Sequence, residues 1–280
     1  LKMQIQHTQK KLNIKRFMSD LFLSFILGII QGLTEFLPIS SSAHLLFPSL
    51  VFGSNDLGLA FDISVHVGTL LAVIYYFRND ILAMTKSLFQ SNSLLGGERG
   101  LVLLLIIATI PIVVAGFFGS DLINTNRTNI SSIAYMNLIF AGFLFIAYLY
   151  SSASKTLLEL TVIGALFIGL FQVFALLPGA SRSGTAMTAA LFIGLNLKDA
   201  SKFAFLLSIP TIFGALVFLL IEISTSSYSF NFISLFIGLI TSCIVAFLTI
   251  KYFLIFVDQI GMYPFVIYRI ILGCILLLLI

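Results

Sequence analysis

Long apolar blocks separated by short polar breaks run through this sequence and decide what the chain can fold into. Because apolar residues are continuous within a block, the blocks favour membrane helices over the alternating strands of a β-barrel. Only 9% of the residues are charged, too few to cover a soluble globule. The predicted fold class is therefore an all-α integral membrane protein. The ten blocks are approximately 20–37, 40–52, 59–77, 101–119, 131–150, 158–177, 180–195, 202–222, 230–251 and 263–280.

Two pairs of blocks contain members that are too short to cross a bilayer singly, since a span takes about 20 residues. They are 20–37 with 40–52, and 158–177 with 180–195. Proline and small hydroxyl residues break each pair, so we interpret each as a re-entrant helical hairpin followed by three transmembrane helices. An odd number of spans inverts the second half relative to the first. The prediction is a single polytopic membrane domain, 18–280, made of two inverted repeats, 18–152 and 153–280.

Basic loop residues predict how the chain is oriented. If the 78–100 loop is cytoplasmic, seven basic residues lie inside and only Arg127 lies in an external loop. Five more basic residues precede Met18 and would lie outside, so we expect residues 1–17 to be an N-terminal extension that is not native. The net charge of +4 is then a topology signal and predicts no nucleic-acid partner. The seven inside residues are Arg78, Lys86, Arg99, Lys155, Lys198, Lys202 and Lys251.

The first hairpin contains the stretch QGLTEFLPISSSAH, from Gln31 to His44. Gln31 and Glu35 are four residues apart and share one face of the first half-helix. A carboxylate is costly to bury in an apolar segment, so we expect Glu35 to be a proton carrier or the ligand of a hard cation. Pro38 ends this half-helix.

Three serines open the second half of this hairpin. Ser40, Ser41 and Ser42 are of the residue type that caps a helix N-terminus. His44 follows Ser41 by three residues on the same face, so Ser41 is a candidate nucleophile and His44 a candidate base. The alternative is that these hydroxyls only pack and that His44 is a satisfied polar residue.

The second hairpin breaks at PGA and continues as SRSGT. Ser181, Thr185 and Thr188 form one hydroxyl stripe, with Arg182 beside it. Two half-helix N-termini would meet here with unpaired N–H groups and positive dipoles, and an arginine can bind phosphate bidentately. The two hairpins therefore predict an anion site. The alternative for Arg182 is a structural ion pair with Glu35.

Other polar residues in the apolar blocks leave alternatives open. Arg269 is expected either to snorkel or to pair. Asp62 and His66 share a helix face, although Asp62 sits near a span end and could simply face water. Cys243 and Cys274 are expected to be small buried hydrophobes instead of metal ligands.

The two hairpin sequences resemble the signatures of the undecaprenyl-diphosphate phosphatases, also called bacitracin-resistance proteins. QGLTEFLPISSSAH is similar to the first signature and PGASRSGT to the second, and FDISVHVGTLLAV and PFVIYRIILG also read like that family. The resemblance extends from Met18 over nearly the whole chain. It implies hydrolysis of undecaprenyl diphosphate to undecaprenyl phosphate and phosphate, which recycles the cell-wall lipid carrier and confers bacitracin resistance.

The resemblance also implies roles for individual residues. The implied catalytic residues are Glu35, Ser41, His44 and Arg182. The implied substrate-binding residues are Gln31, Ser40, Ser42, Ser181, Ser183 and Thr185. Glu35 is also the implied ligand of a divalent cation, Mg²⁺ or Ca²⁺. The expected partners are the lipid substrate, the bilayer and a second copy in a homodimer, in the bacterial inner (plasma) membrane with the site open to the extracytoplasmic side.

A transporter is the rival interpretation. Broken helices in inverted repeats are typical of transporters, and an anion site at the midplane would suit a flippase for lipid phosphate or the uptake of a small anion. Within the phosphatase interpretation, attack by Ser41 and direct attack by water are both compatible with the sequence. Phosphate release in detergent, where there is no second compartment, separates the two classes.

Overall fold

The computed structural model describes residues 19–52, 57–89, 97–119, 129–224 and 231–278, and these residues are almost entirely helical. One isolated bridge, between Lys155 and Leu195, is the only β-type pairing among them. The predicted extension 1–17 lies outside the described residues. The helices are α1 (Ser19–Thr34), α2 (Ser41–Phe52), α3 (Leu59–Tyr76), α4 (Arg78–Ser87), α5 (Gly97–Phe118), α6 (Ile130–Tyr150), α7 (Val162–Gln172), α8 (Arg182–Phe192), α9 (Leu197–Ser224), α10 (Phe232–Ile260) and α11 (Tyr263–Leu278).

Five of these helices are long and apolar enough to cross a membrane: α3, α5, α6, α9 and α10. The predicted all-α, multi-pass membrane fold is therefore confirmed. The last helix, α11, is apolar but has only 16 residues in its described part. This helix corresponds to the sixth predicted span, 263–280, which stays a prediction.

The two predicted hairpins appear as pairs of short helices. α2 has 12 residues and α8 has 11. At about 1.5 Å per residue, each is roughly half as long as the 30 Å hydrocarbon core of a bilayer. The breaks fall where proline and serine predict them, since α1 ends at Thr34 and α2 begins at Ser41. Helix α4 was not predicted, because its polar sequence forms no apolar block.

Each hairpin packs closely against a long helix of the other predicted repeat. A Cβ atom on Gly28 of α1 would lie 2.9 Å from the Cβ of Thr241 in α10. A Cβ atom on Gly169 of α7 would lie 2.5 Å from the carbonyl oxygen of Ala108 in α5. The two glycines are 141 residues apart, the same offset that separates Gln31 from Gln172. These matched contacts support the repeat, which stays a prediction.

At two places, the end of a helix lies beside the start of the helix at the matching place in the other predicted repeat. Just beyond the end of α3, Asp80 accepts a 2.5 Å ion-pair contact from Lys202 at the start of α9. At the end of α6, the ring of Tyr148 lies 4.9 Å from that of Tyr263 at the start of α11. Antiparallel pairs of this kind are what inverted repeats require, so the contacts support the predicted inversion without testing it directly.

Candidate active site

The two hairpin breaks meet at a buried ion pair. Arg182, the first residue of α8, donates from Nη2 to Oε1 of Glu35 at 2.8 Å. Glu35 follows α1 directly and is nearly fully buried. The ion pair that the sequence left open as an alternative is therefore present. It joins the two motifs across 147 residues of sequence.

The second carboxylate oxygen of Glu35 accepts hydrogen bonds from two side chains of the first hairpin. Gln31 donates from Nε2 to Oε2 at 2.8 Å, and Ser41 donates from Oγ to the same oxygen at 3.0 Å. Of the four predicted catalytic residues, Glu35, Ser41 and Arg182 are thus in one connected network. Glu35 thus accepts three hydrogen bonds, from Gln31, Ser41 and Arg182, and such bonds favour the ionised form of a carboxylate.

The residue before each of the two short helices has an unusual backbone. Ser40 has φ of 72° and Ser181 has φ of 71°, a region that non-glycine residues rarely adopt. In each hairpin this serine pairs with the serine two residues on: Ser40 Oγ lies 3.2 Å from Ser42 Oγ, and Ser181 Oγ lies 3.3 Å from Ser183 Oγ. Such outliers cost about 1–3 kcal/mol and cluster at functional sites. Both helices therefore follow a serine with nearly the same positive φ.

His44 does not contact Ser41 in this structure. Its Nδ1 lies 2.7 Å from the carbonyl oxygen of Ser40, so Nδ1 carries the proton. Its Nε2 lies 2.6 Å from the hydroxyl of Tyr268, and the two rings stack at 5.6 Å. Both ring nitrogens are engaged elsewhere, so the hydrogen bond of the Ser41 hydroxyl goes to Glu35 and not to His44.

The remaining predicted substrate-binding residues make structural hydrogen bonds. Ser183 donates to the carbonyl oxygen of Leu37 at 2.8 Å and so ties α8 to the first hairpin. Ser181 caps α8 by accepting from the backbone N–H of Gly184 at 3.1 Å. Thr185 donates to the carbonyl oxygen of Arg182 at 2.9 Å, so its hydroxyl serves its own helix.

Two buried polar atoms of the hairpin network have no hydrogen-bond partner among the described residues. They are Nη1 of Arg182 and Oε1 of Gln31. The first is a cationic donor and the second a neutral acceptor. An anion can satisfy Arg182, and a cation or a hydroxyl group can satisfy Gln31.

Sequence reasoning did not assign three residues that the structure brings to the site. Nε2 of His66 lies 3.8 Å from Oε2 of Glu35, and the side chain of His66 is 29% exposed against 5% for that of Glu35. Tyr268 contacts His44, and Arg269 binds both hairpin turns. The shared face of Asp62 and His66 was the signal for the first of these. For Arg269 the signal was a charge in an apolar block. Of its two alternatives, snorkelling is wrong because the side chain is fully buried.

A divalent cation fits this site only in part. The described residues contain no group of three or more His, Cys, Asp or Glu side chains that could hold a metal ion. Glu35 offers one carboxylate and Gln31 one unpartnered carbonyl oxygen. Mg²⁺ commonly binds through one or two carboxylates, with substrate phosphates as further ligands. The donor set therefore fits a cation whose coordination a phosphate substrate completes.

Comparison with known proteins identifies the family. Curated relatives named undecaprenyl-diphosphatase include one from Alcanivorax borkumensis, 45% identical over 92% of this chain and 98% of the relative. Another, from Teredinibacter turnerae, is 44% identical over 92% of this chain and 98% of the relative. The family described as bacitracin resistance protein BacA matches residues 24–275, which include both hairpin turns and every site residue described above. The chain therefore belongs to the bacitracin resistance protein BacA family.

Proposed function

We infer that this protein is an undecaprenyl-diphosphatase, which hydrolyses undecaprenyl diphosphate to undecaprenyl phosphate and phosphate. The observation that carries the inference is the junction at Glu35, where Ser41 of one hairpin and Arg182 of the other bind the same carboxylate. A hydroxyl group, a base and a guanidinium meet there inside an otherwise apolar protein. Relatives that carry the name undecaprenyl-diphosphatase are about 45% identical over nearly the whole chain.

The substrate is an amphiphile, and the site provides for both of its ends. The polyprenyl tail lies among the apolar helix surfaces. The diphosphate enters between the hairpins, where the N-termini of α2 and α8 offer N–H groups and the unpartnered Nη1 of Arg182 offers a further donor. These donors neutralise the charge that develops as the phosphoryl group is transferred.

Ser41 attacks the terminal phosphorus in this mechanism. Its hydroxyl proton passes to Oε2 of Glu35, which already accepts that hydrogen bond at 3.0 Å. The bond from phosphorus to the bridging oxygen breaks, and undecaprenyl phosphate leaves. Water then attacks the phosphoserine, releasing phosphate and restoring Ser41. Direct attack by a water that Glu35 activates gives the same products, and substitution of Ser41 separates the two routes.

A divalent cation, Mg²⁺ or Ca²⁺, completes the proposal. Glu35 and Gln31 are the residues that would hold it. It would supply charge neutralisation to the phosphate oxygens. Since the described residues offer few ligands of their own, cation binding should depend on the substrate.

The reaction would recycle the lipid carrier of cell-wall synthesis and confer resistance to bacitracin. We place the protein in the plasma membrane of a bacterium, with the site accessible from the extracytoplasmic side. The positive-inside bias of the loops supports this orientation. A homodimer stays a prediction.

The test is phosphate release by the detergent-purified protein from a long-chain polyprenyl diphosphate, with and without EDTA. We expect release that EDTA abolishes and that Glu35→Ala lowers by at least about 100-fold, because the base is lost. Lys202→Arg is the matched control. It keeps the positive charge that pairs with Asp80 outside the Glu35 network, so this variant should stay active. A folded protein that binds polyprenyl phosphates but releases no phosphate would contradict the proposal and favour the transporter.

A further inference from the structure

Arg269 of α11 is fully buried, and the mechanism above does not use it. Within the described part of the chain, its hydrogen bonds all end on backbone carbonyl oxygens. Nη1 donates to Pro38 at 3.3 Å, and Nη2 donates to Gly179 at 2.9 Å and to Ala180 at 3.0 Å. Nε donates to Asn137 at 3.3 Å. A buried charge is costly unless its hydrogen bonds are satisfied, so this arrangement requires an explanation.

We propose that Arg269 is a positioning residue that fixes the two hairpin turns against each other. Through the turns it holds Glu35 and Ser41 of the first hairpin at the distance at which they meet Arg182 of the second. The inference rests on the proposed function, because the reaction is where its effect is measured.

The bonds of Arg269 divide between the two turns. Pro38 lies three residues from both Glu35 and Ser41, whereas Gly179 and Ala180 lie just before Arg182. One end of the planar guanidinium thus holds the first turn and the other end holds the second. A lysine keeps the charge but presents a single nitrogen and no rigid fork, so it cannot bridge both turns in one fixed geometry.

The start of α8 leaves room for this guanidinium. A Cβ atom on Gly184 would lie 2.9 Å from Nη1 of Arg269. That is closer than real Cβ contacts, and the buried, hydrogen-bonded arginine cannot move away freely. Gly184 is helical, where alanine is the better residue by propensity. Glycine therefore suits this position because the absence of a side chain leaves space for the guanidinium of Arg269.

Arg269 acts through other residues and does not contact the substrate. Its side chain is fully buried, whereas the side chains of Arg182 and His66 stay 14% and 29% exposed at the site. Its donors are occupied by backbone oxygens, whereas Arg182 retains an unpartnered Nη1. These differences distinguish Arg269, which positions the two turns, from Arg182, which binds the substrate in the proposed mechanism.

The first experiment measures kcat and KM for Arg269→Lys and Gly184→Ala. We expect Arg269→Lys to lower kcat by about 100-fold with a much smaller change in KM, because a misplacement of about 1 Å can cost that much. Gly184→Ala should lower kcat on the order of 10-fold, because its Cβ atom would lie 2.9 Å from Nη1 of Arg269 and displace the guanidinium. Gly142→Ala is the matched control, since a Cβ atom there would meet nothing within 4 Å, and its kcat should be unchanged.

The second experiment is a pair of double-mutant cycles, Arg269→Lys with Arg182→Lys and Arg269→Lys with Gly184→Ala. If Arg269 acts by placing Arg182, each combined loss stays well below the product of the single losses. Two outcomes would overturn the inference while the proposed function stands. One is a double variant whose loss of kcat equals the product of the two single losses. The other is near-normal kcat in both Arg269→Lys and Gly184→Ala. If Arg269→Lys fails to fold, Gly184→Ala against Gly142→Ala decides alone. A wild-type protein without phosphatase activity would overturn the proposed function and this inference with it.

Discussion

The two oxygens of Glu35 have different partners, and each oxygen is bound by a different hairpin. Oε1 is bound by Arg182 of the second hairpin, and Oε2 is bound by Gln31 and Ser41 of the first. Of the two oxygens, only Oε2 accepts a hydrogen bond from a hydroxyl group in the described part of the chain. The Ser41 hydroxyl therefore has Oε2 as its acceptor, and Nη1 of Arg182 keeps no partner among the described residues.

Removal of the Ser41 hydroxyl tests whether the reaction passes through a phosphoserine. We expect Ser41→Ala to lower kcat by at least about 100-fold, since neither the nucleophile nor its bond to Glu35 remains. Ser234→Ala is the matched control, because the Ser234 hydroxyl is buried without a described partner and its loss should leave phosphate release intact. Near-normal turnover of Ser41→Ala would rule out the covalent route and leave direct attack by water.

Replacement of Arg182 by lysine tests the guanidinium independently of its charge. Arg182→Lys keeps one positive charge but loses either the bond to Glu35 or the free donor. We expect kcat/KM to fall by about 10–200-fold, the effect of about 1.5–3 kcal/mol for a hydrogen bond to a charged group. Arg78→Lys, at an exposed arginine that donates to the carbonyl oxygen of Tyr75, should match the wild type. Equal kinetics for the two variants would show that only charge matters at Arg182.

The sequence predicted the centre of the site better than its periphery. Glu35, Ser41 and Arg182 could be found because a charge in an apolar block and serines after a proline are local signals. Tyr268 could not, because its contact with His44 joins residues 224 positions apart and a tyrosine in an apolar helix is unremarkable by itself. The shared helix face indicated His66, but helical periodicity alone could not show that this face meets Glu35.

At the scale of helices, close backbone contacts hold the hairpins in place. The absence of a side chain lets Gly169 of α7 lie against Ala108 of α5, and Gly28 and Gly32 of α1 lie in the same way against α10. Small residues allow such approach in membrane proteins, where water drives little association between helices. Periodicity predicted these helices and their breaks but not their partners, since apolar faces that point to lipid and to protein are alike in composition.

Alanine at Gly169 tests this packing. We expect Gly169→Ala to cost about 1–3 kcal/mol of stability, because its Cβ atom would lie 2.5 Å from a backbone carbonyl oxygen that cannot move without moving α5. Gly116→Ala is the control, since the nearest atom to its Cβ would be 3.7 Å away. The measurement is thermal unfolding in one detergent. A melting temperature for Gly169→Ala at or above that of Gly116→Ala would contradict the packing.

At the scale of the whole molecule, contacts gather several basic segments at one end. Lys202 pairs with Asp80, and Lys155 donates to the carbonyl oxygen of Ile193, so the segment after α3, the start of α9 and the loop after α6 lie together. The loop charges alone predicted that these segments share a side of the membrane. The contacts agree with that grouping.

Thiol labelling in intact cells determines that side. In a background with Cys243 and Cys274 replaced by alanine, Asn129→Cys and Lys86→Cys place single thiols at exposed positions at opposite ends of the fold. A membrane-impermeant maleimide should label Asn129→Cys directly and Lys86→Cys only after permeabilisation, because basic residues are retained on the cytoplasmic side. Full labelling after permeabilisation is the control for both. The reverse pattern would invert the orientation and place the first hairpin, with Glu35 and Ser41, on the cytoplasmic side.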